Sequence, residues 1–208
     1  MNKIFKFKSL PKNNFFAPEW EYFIAETIAE NINYSSLVNF LIIKEKKLLK
    51  LKGTGDGYTG LGLKSVTSRH KNYNLFNFKN KEIVKLKKNI FNFHKSFLKE
   101  LSLKYSNIYI KGWFNILKKE EQIKPHIHDF SPDAYLGGHF CVKCKNTSTY
   151  YINPVNQINK PEIIESKNKI GKLTLFQNCI PHYTDIAKDE RITIAFDLSL
   201  NRKDWVTL

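Results

Sequence analysis

From Tyr105 onward the chain breaks into short runs in which apolar and polar residues alternate: Ile108-Tyr109-Ile110-Lys111-Gly112-Trp113-Phe114-Asn115, then 135–145, 147–152, 172–176 and 191–200. Period-two alternation belongs to strands with two unlike faces and does not fit the 3.6-residue repeat of a helix. Turn signals separate the runs, at Ser131-Pro132-Asp133, Asn153-Pro154, Lys160-Pro161 and Ala187-Lys188-Asp189-Glu190. Several short strands divided in this way bury their apolar faces by forming a sandwich or a barrel.

The first hundred residues have a different texture and predict helices. Pro18 suits a first helical position, and Trp20, Phe23, Ile24, Thr27 and Ile28 follow at helical spacing. Ser35 or Ser36 would cap a second helix running to about Lys50. The clearest helix carries Ile83, Leu86, Ile90, Phe93, Phe97 and Leu101 as one apolar stripe, with Lys81, Lys85, Lys88, Lys95 and Lys99 largely off it. Gly53 to Gly62 interrupts both periodicities and reads as a loop. The expected architecture is α+β in one domain over 1–208: a mainly helical supporting region, 1–104, packed on an all-β core, 105–208.

With 208 residues and 42% hydrophobic content the chain has enough apolar surface for a packed interior, which excludes wholesale disorder. Its three cysteines (Cys141, Cys144, Cys179) cannot build a disulfide framework, and nothing at the amino end reads as a signal peptide. No apolar run approaches the roughly 20 residues of a membrane helix, so a cytoplasmic protein without a membrane partner is expected. The net charge of +15, from 34 basic and 19 acidic residues, first suggests nucleic acid. Only Arg69, Arg191 and Arg202 are arginines, the residue whose planar fork suits phosphates and base edges. The charge is also lopsided: residues 1–110 hold 20 basic and 8 acidic groups, and residues 111–208 hold 14 and 11. The strand-rich half is nearly neutral, so nucleic acid is permitted as a partner but not favoured.

Of the six histidines, His70, His94 and His139 read as structural. His126 and His128 flank Ile127 in Pro125-His126-Ile127-His128-Asp129, and residues two apart on a strand share a face. His182 follows the strand at 172–176. Arg191 opens the run Arg191-Ile192-Thr193-Ile194-Ala195-Phe196, with Arg191 and Thr193 on one face and Ile192, Ile194 and Phe196 on the other. A hairpin turning at Ala187–Glu190 would bring His182 and Arg191 into one cavity.

Over about Trp113 to Leu198 these pieces resemble, in order and spacing, the iron(II)- and 2-oxoglutarate-dependent oxygenases with a double-stranded β-helix (jelly-roll) core. The likeness is to small bacterial and viral members with a tryptophan-x-asparagine strand, a His-x-His pair and a final His followed by Arg-x-Ser/Thr. The resemblance implies that His126 and His182 bind Fe(II), and that Arg191, supported by Thr193, pairs with the distal carboxylate of 2-oxoglutarate. It also implies a cosubstrate contact for Asn115, eleven residues before the first ligand. Iron of this class takes three protein ligands on one face of an octahedron, leaving three positions for the 2-oxo acid and dioxygen. The implied reaction converts 2-oxoglutarate and O2 to succinate and CO2 and hydroxylates an unactivated C–H of a small-molecule or peptide substrate. The commoner family pattern is His-x-Asp/Glu, with a carboxylate where His128 stands. His128 as third ligand would make the bound iron more positive by one charge. Asp129 is the alternative, although regular alternation turns it away from the face of His126.

The competing reading is a basic jelly-roll module that binds nucleic acid or another acidic ligand without catalysis, using the amino-terminal lysines. Cys141-Val142-Lys143-Cys144 has C-x-x-C spacing, but residues three apart on a regular strand face opposite sides and no second pair completes a zinc set, so packing is expected. The 53–62 loop lacks the Gly-Lys-Ser/Thr ending of a phosphate loop. As a substrate cover, it and its surroundings would offer Tyr58, Thr59, Arg69 and Tyr73.

Overall fold

All five alternating runs form strands in the computed structural model, which describes residues 2–8, 20–128, 133, 135–155 and 160–208. In chain order the elements are β1 (Lys3–Lys8), β2 (Glu21–Ile28), α1 (Tyr34–Leu48), α2 (Lys81–Glu100), β3 (Tyr109–Leu117), β4 (Leu136–Lys143), β5 (Ser148–Ile152), β6 (Ile163–Lys167), β7 (Lys172–Gln177), β8 (His182–Thr184), β9 (Arg191–Ser199) and β10 (Val206–Thr207). Two short 3-10 turns, Val66–Asn72 and Leu75–Asn77, lie between the helices. A seven-stranded antiparallel sheet has the order β1-β2-β7-β4-β9-β3-β10, and a three-stranded one the order β6-β5-β8.

Alternation along the strands gives the large sheet two unlike faces. Ile192, Ile194, Phe196 and Leu198 of β9 join Phe114 and Ile116 of β3, Phe140 of β4, and Leu173 and Leu175 of β7 in one apolar cluster with the stripe of α2 and with Leu37 and Leu41 of α1. Each such side chain contributes roughly 1.5–3 kcal/mol on burial, so this seam fixes the helices to the sheet. The opposite face carries polar groups, among them Asn115, His139, Arg191 and Thr193, all buried. That face is linked to the small sheet by Arg191, whose Nη2 donates to Thr149 Oγ1 of β5 at 3.3 Å.

The amino-terminal region differs from a purely helical one. Residues 21–28 form β2, where helical spacing predicts a helix. Ile24 packs with Phe7, Tyr151 and Phe176 on one side of the sheet while Ala25 enters the main cluster on the other. A strand buried on both faces loses its period-two gaps, and its apolar residues then mimic a helix. β2 takes up the free edge of β7 from Ile24↔Phe176 to Ile28↔Lys172. Pro18 lies outside the described residues. The two later helices form as expected, with different caps: Asn33 accepts from Ser36 N at 3.0 Å, and Asn80 from Glu82 N and Ile83 N. Asparagine outcompetes the neighbouring serines because its amide oxygen reaches the free amides of the first turn.

One local irregularity corrects the reading of Cys141 and Cys144. β4 pairs with β9 regularly to Cys141↔Thr193, then jumps to Lys143↔Ile192. The extra residue is a bulge, which shifts parity and returns Cys144 to the face of Cys141. Among the described residues no helix is long and apolar enough to cross a membrane.

Candidate metal centre

His126 and His182 sit on neighbouring extended segments joined as an isolated antiparallel bridge, with His126 N donating to His182 O at 3.1 Å and His182 N to His126 O at 3.0 Å. His128 N donates to Asn178 O at 3.1 Å, which fixes the second imidazole beside them. Ring centroids lie 4.4 Å apart for His126 and His182 and 5.0 Å for His128 and His182, and one ligand atom from each of the three falls within 4.8 Å of the others. β4 leaves the space for this: a Cβ on Gly137 would lie 2.8 Å from His128 Nδ1 and 2.9 Å from Asn178 Oδ1.

The hydrogen bonds set the tautomers. His126 Nδ1 lies 2.8 Å from Lys124 O and His182 Nδ1 lies 3.1 Å from Ile180 O. Carbonyls only accept, so each Nδ1 carries the proton and each Nε2 keeps a free lone pair. His128 Nδ1 is 2.6 Å from Asp197 Oδ1 in the same sense. Backing of Nδ1 by a carbonyl or carboxylate is the usual arrangement of metal-binding histidines. Burial, reinforced by the neighbouring His128, pushes the His126 pKa down to about 4, and burial and both partner imidazoles hold His182 well below the ordinary range. These two rings are therefore neutral at pH 7, the form a metal requires.

Arg191 lines the same cavity and is only 3% exposed. Beyond the bond from Nη2 to Thr149, its Nε and Nη1 have no partner among the described residues. A buried guanidinium with unsatisfied donors carries a desolvation cost that an anion would offset, and its fork suits a carboxylate. Thr193 lies beside it on β9, directly opposite Asn115 of β3, whose Oδ1 accepts from Thr67 Oγ1 at 2.8 Å.

His126, His128, His182, Arg191, Thr193 and Asn115 thus all line one cavity. Asp129 lies outside the described residues. The route by which His182 and Arg191 meet is not a hairpin: β8 and β9 belong to different sheets, and the two side chains face each other across the space between. Of the loop candidates, Thr59 lines the cavity and its carbonyl accepts from Lys124 N at 2.8 Å, while Tyr58 points to solvent. Arg69 is a buried clasp donating to the carbonyls of Leu49, Leu51, Leu63 and Ser65. The Tyr73 hydroxyl accepts from Phe114 N at 3.3 Å.

His94 is structural, its Nε2 2.8 Å from the Tyr135 hydroxyl. His70 and His139 are not confined to the core: both line the cavity, His70 against Trp113 (centroids 5.7 Å) and His139 with its Nε2 2.7 Å from the buried Tyr151 hydroxyl. Sequence reasoning also passed over Asp197. The signal existed, because the alternation that places Arg191 and Thr193 on one face continues to residue 197.

No protein-family model matches the sequence, and no curated protein matches it. Solved structures do match in fold. AviO1 from Streptomyces viridochromogenes Tue57 aligns over 86% of this chain and 90% of its own, with a TM-score of 0.59 and 9% identity. The viral collagen prolyl hydroxylase from Paramecium Bursaria Chlorella virus-1, solved as a 2OG complex, aligns over 84% and 94%, with a TM-score of 0.56 and 12% identity. A 2OG-Fe(II) oxygenase family oxidoreductase from Burkholderia pseudomallei aligns over 51% of this chain and about half, 52%, of its own, with a TM-score of 0.42 and 14% identity. The first two likenesses establish a shared mixed α/β fold organised on a large antiparallel sheet.

Proposed function

We propose that the chain is an iron(II)- and 2-oxoglutarate-dependent oxygenase, a single domain over 1–208 on a double-stranded β-helix core, that hydroxylates an unactivated C–H of a small-molecule or peptide substrate. One observation carries the reading: a single cavity holds three imidazoles with free Nε2 atoms and a buried arginine with unpartnered Nε and Nη1. The viral hydroxylase of the same fold was solved with 2OG, which supports that cosubstrate here.

His126, His128 and His182 would hold the iron. Bound iron(II) supplies the oxidising power, with 2-oxoglutarate and O2 converted to succinate and CO2 as the substrate gains a hydroxyl group. The protein's own groups hold and orient. Arg191 grips the far carboxylate, with Thr193 and Thr149 hydroxyls beside it, and Asn115, fixed by Thr67, faces the same space. Asp197, bonded to His128, restores near the centre the negative charge that a three-histidine set lacks. Thr59 and Trp113 wall the cavity and limit access of water.

The test is anaerobic addition of 2-oxoglutarate to the Fe(II) protein, followed by aerobic turnover. A visible absorption band and succinate release are expected, both lost in His126→Ala and His182→Ala. Arg191→Leu should raise the KM for 2-oxoglutarate about 30-fold or more. Undiminished succinate release in both histidine variants would sink the proposal.

A further inference from the structure

Cys141 and Cys144 fit nothing in the mechanism above, yet they are the best-connected group outside it. The β4 bulge puts both side chains on the cavity face, Cys141 opposite Thr193 and Cys144 past it toward the Arg191 end of β9. Their thiols are in hydrogen-bonding contact, Cys141 buried and Cys144 half-buried. A chain of bonds runs from them to the arginine: Cys141 Sγ donates to Asn168 Oδ1 at 3.4 Å, Thr149 Oγ1 donates to the same oxygen at 3.2 Å, and Arg191 Nη2 donates to Thr149 Oγ1 at 3.3 Å. Asn168 is held in turn by its Nδ2 bond to Thr147 Oγ1 at 3.1 Å.

We infer that Cys141 and Cys144 are a thiol–disulfide site wired to Arg191, at which oxidation by a hydroperoxide weakens the grip of the arginine on its carboxylate ligand. The ligand part of this statement rests on the function proposed above; the disulfide does not. The half-exposed Cys144 is the first to react. Its pKa falls to about 7, chiefly because the Cys141 S–H stabilises the thiolate, with Arg191 and Lys172 adding positive field against the opposing effect of burial. Cys141 is pushed the other way by the same contact and by its own burial, so it keeps its proton.

The chemistry balances with a peroxide as oxidant. The Cys144 thiolate attacks the O–O bond, forming a sulfenic acid and releasing an alkoxide or hydroxide that takes up a proton. The Cys141 thiol then displaces water from that sulfenic acid to close the disulfide. Two thiols and one hydrogen peroxide become one disulfide and two waters. The lost proton is the one Cys141 gives to Asn168, so oxidation leaves Asn168 with one donor fewer and frees the Thr149 side chain on which Arg191 is hung.

The experiment treats the full-length reduced protein with stoichiometric hydrogen peroxide, then alkylates, maps peptides by mass, and follows amide hydrogen exchange with and without 2-oxoglutarate. A 141–144 peptide about 2 Da lighter is expected, with Cys179 still alkylated. Exchange should rise across β5 in the ligand-free protein. Affinity for 2-oxoglutarate should fall about fivefold, the worth of roughly one hydrogen bond, and return on dithiothreitol treatment. Cys144→Ser should abolish all three responses, and Cys179→Ser should preserve them. Failure of the 141–144 disulfide to form, or over-oxidation of Cys144 alone, overturns the inference. A disulfide that leaves β5 exchange unchanged overturns the wiring. If the reduced protein does not bind 2-oxoglutarate, the proposed function fails, and β5 exchange still decides the wiring.

Discussion

At the scale of single residues, the site is a matter of which nitrogen each imidazole offers. Three Nδ1 atoms are engaged by Lys124 O, Asp197 and Ile180 O, which turns three Nε2 atoms toward one point. Asp197→Asn keeps an acceptor for His128 but removes the charge, and Asp197→Ala removes both. Loss of such a backing group typically costs 10–100-fold in metal affinity. The expected order of Co(II) affinity, read by titration of the visible spectrum, is wild type, then Asn, then Ala. Equal affinity in all three would show that the carboxylate does no more than fill space. Gly137→Ala tests the same ring from behind: its Cβ would press on His128 Nδ1 at 2.8 Å, so metal binding should drop while far-UV circular dichroism stays native. Most of these residues were legible, because spacing by two on extended chain aligns His126 with His128 and Arg191 with Thr193. His139 and Thr149 were not, since their place in the cavity depends on how β4 and β5 face each other, which no local pattern encodes.

At the scale of elements, legibility follows exposure. α2 is amphipathic because one side meets water, and its stripe of Ile83, Leu86, Ile90, Phe93 and Phe97 is buried as the spacing demands. β2 has both faces covered, so its sequence contains no record of which face is which. The loop from Gly53 to Gly62 was recognisable as a loop from its glycines; its path beside the cavity is set by something the glycines do not show. Arg69, four turns of hydrogen bonding away in sequence terms from any motif, clasps the carbonyls of Leu49, Leu51, Leu63 and Ser65. Arg69→Met would fill similar space but leave buried carbonyls without donors, at a cost of about 1–3 kcal/mol for each that water fails to reach. Chemical denaturation should show a loss of at least about 2 kcal/mol. Limited proteolysis should cut first between residues 53 and 65. A stability unchanged within error would mean the clasp is not what holds this segment.

At the scale of the whole molecule, the +15 charge and the buried histidines act on different parts of the same chain. The excess charge lies mainly in residues 1–110, much of it on lysines such as Lys81, Lys88, Lys95 and Lys99 on the exposed side of α2. The buried histidines instead make stability depend on pH. Burial drives His94 and His126 down to about 4 and holds His139 and His182 well below the ordinary range. In the unfolded chain each titrates near its usual value of about 6.5. Between those limits the unfolded state takes up protons that the folded state refuses, so stability is fully present above about pH 6.5 and is lost as pH falls toward 4. Each histidine contributes a slope of up to about 1.4 kcal/mol per pH unit in that window. The metal-free protein should therefore melt at nearly constant temperature from pH 8 to 7 and then at steadily lower temperature to pH 5. His94 is the clean probe, because it bonds Tyr135 in the helical layer and takes no part in the cavity. His94→Gln retains a polar partner for the Tyr135 hydroxyl but has no proton to gain, so its melting curve should flatten by up to one histidine's slope. Equal slopes in the variant and the wild type would mean that the acid sensitivity of the fold arises elsewhere than in its buried imidazoles.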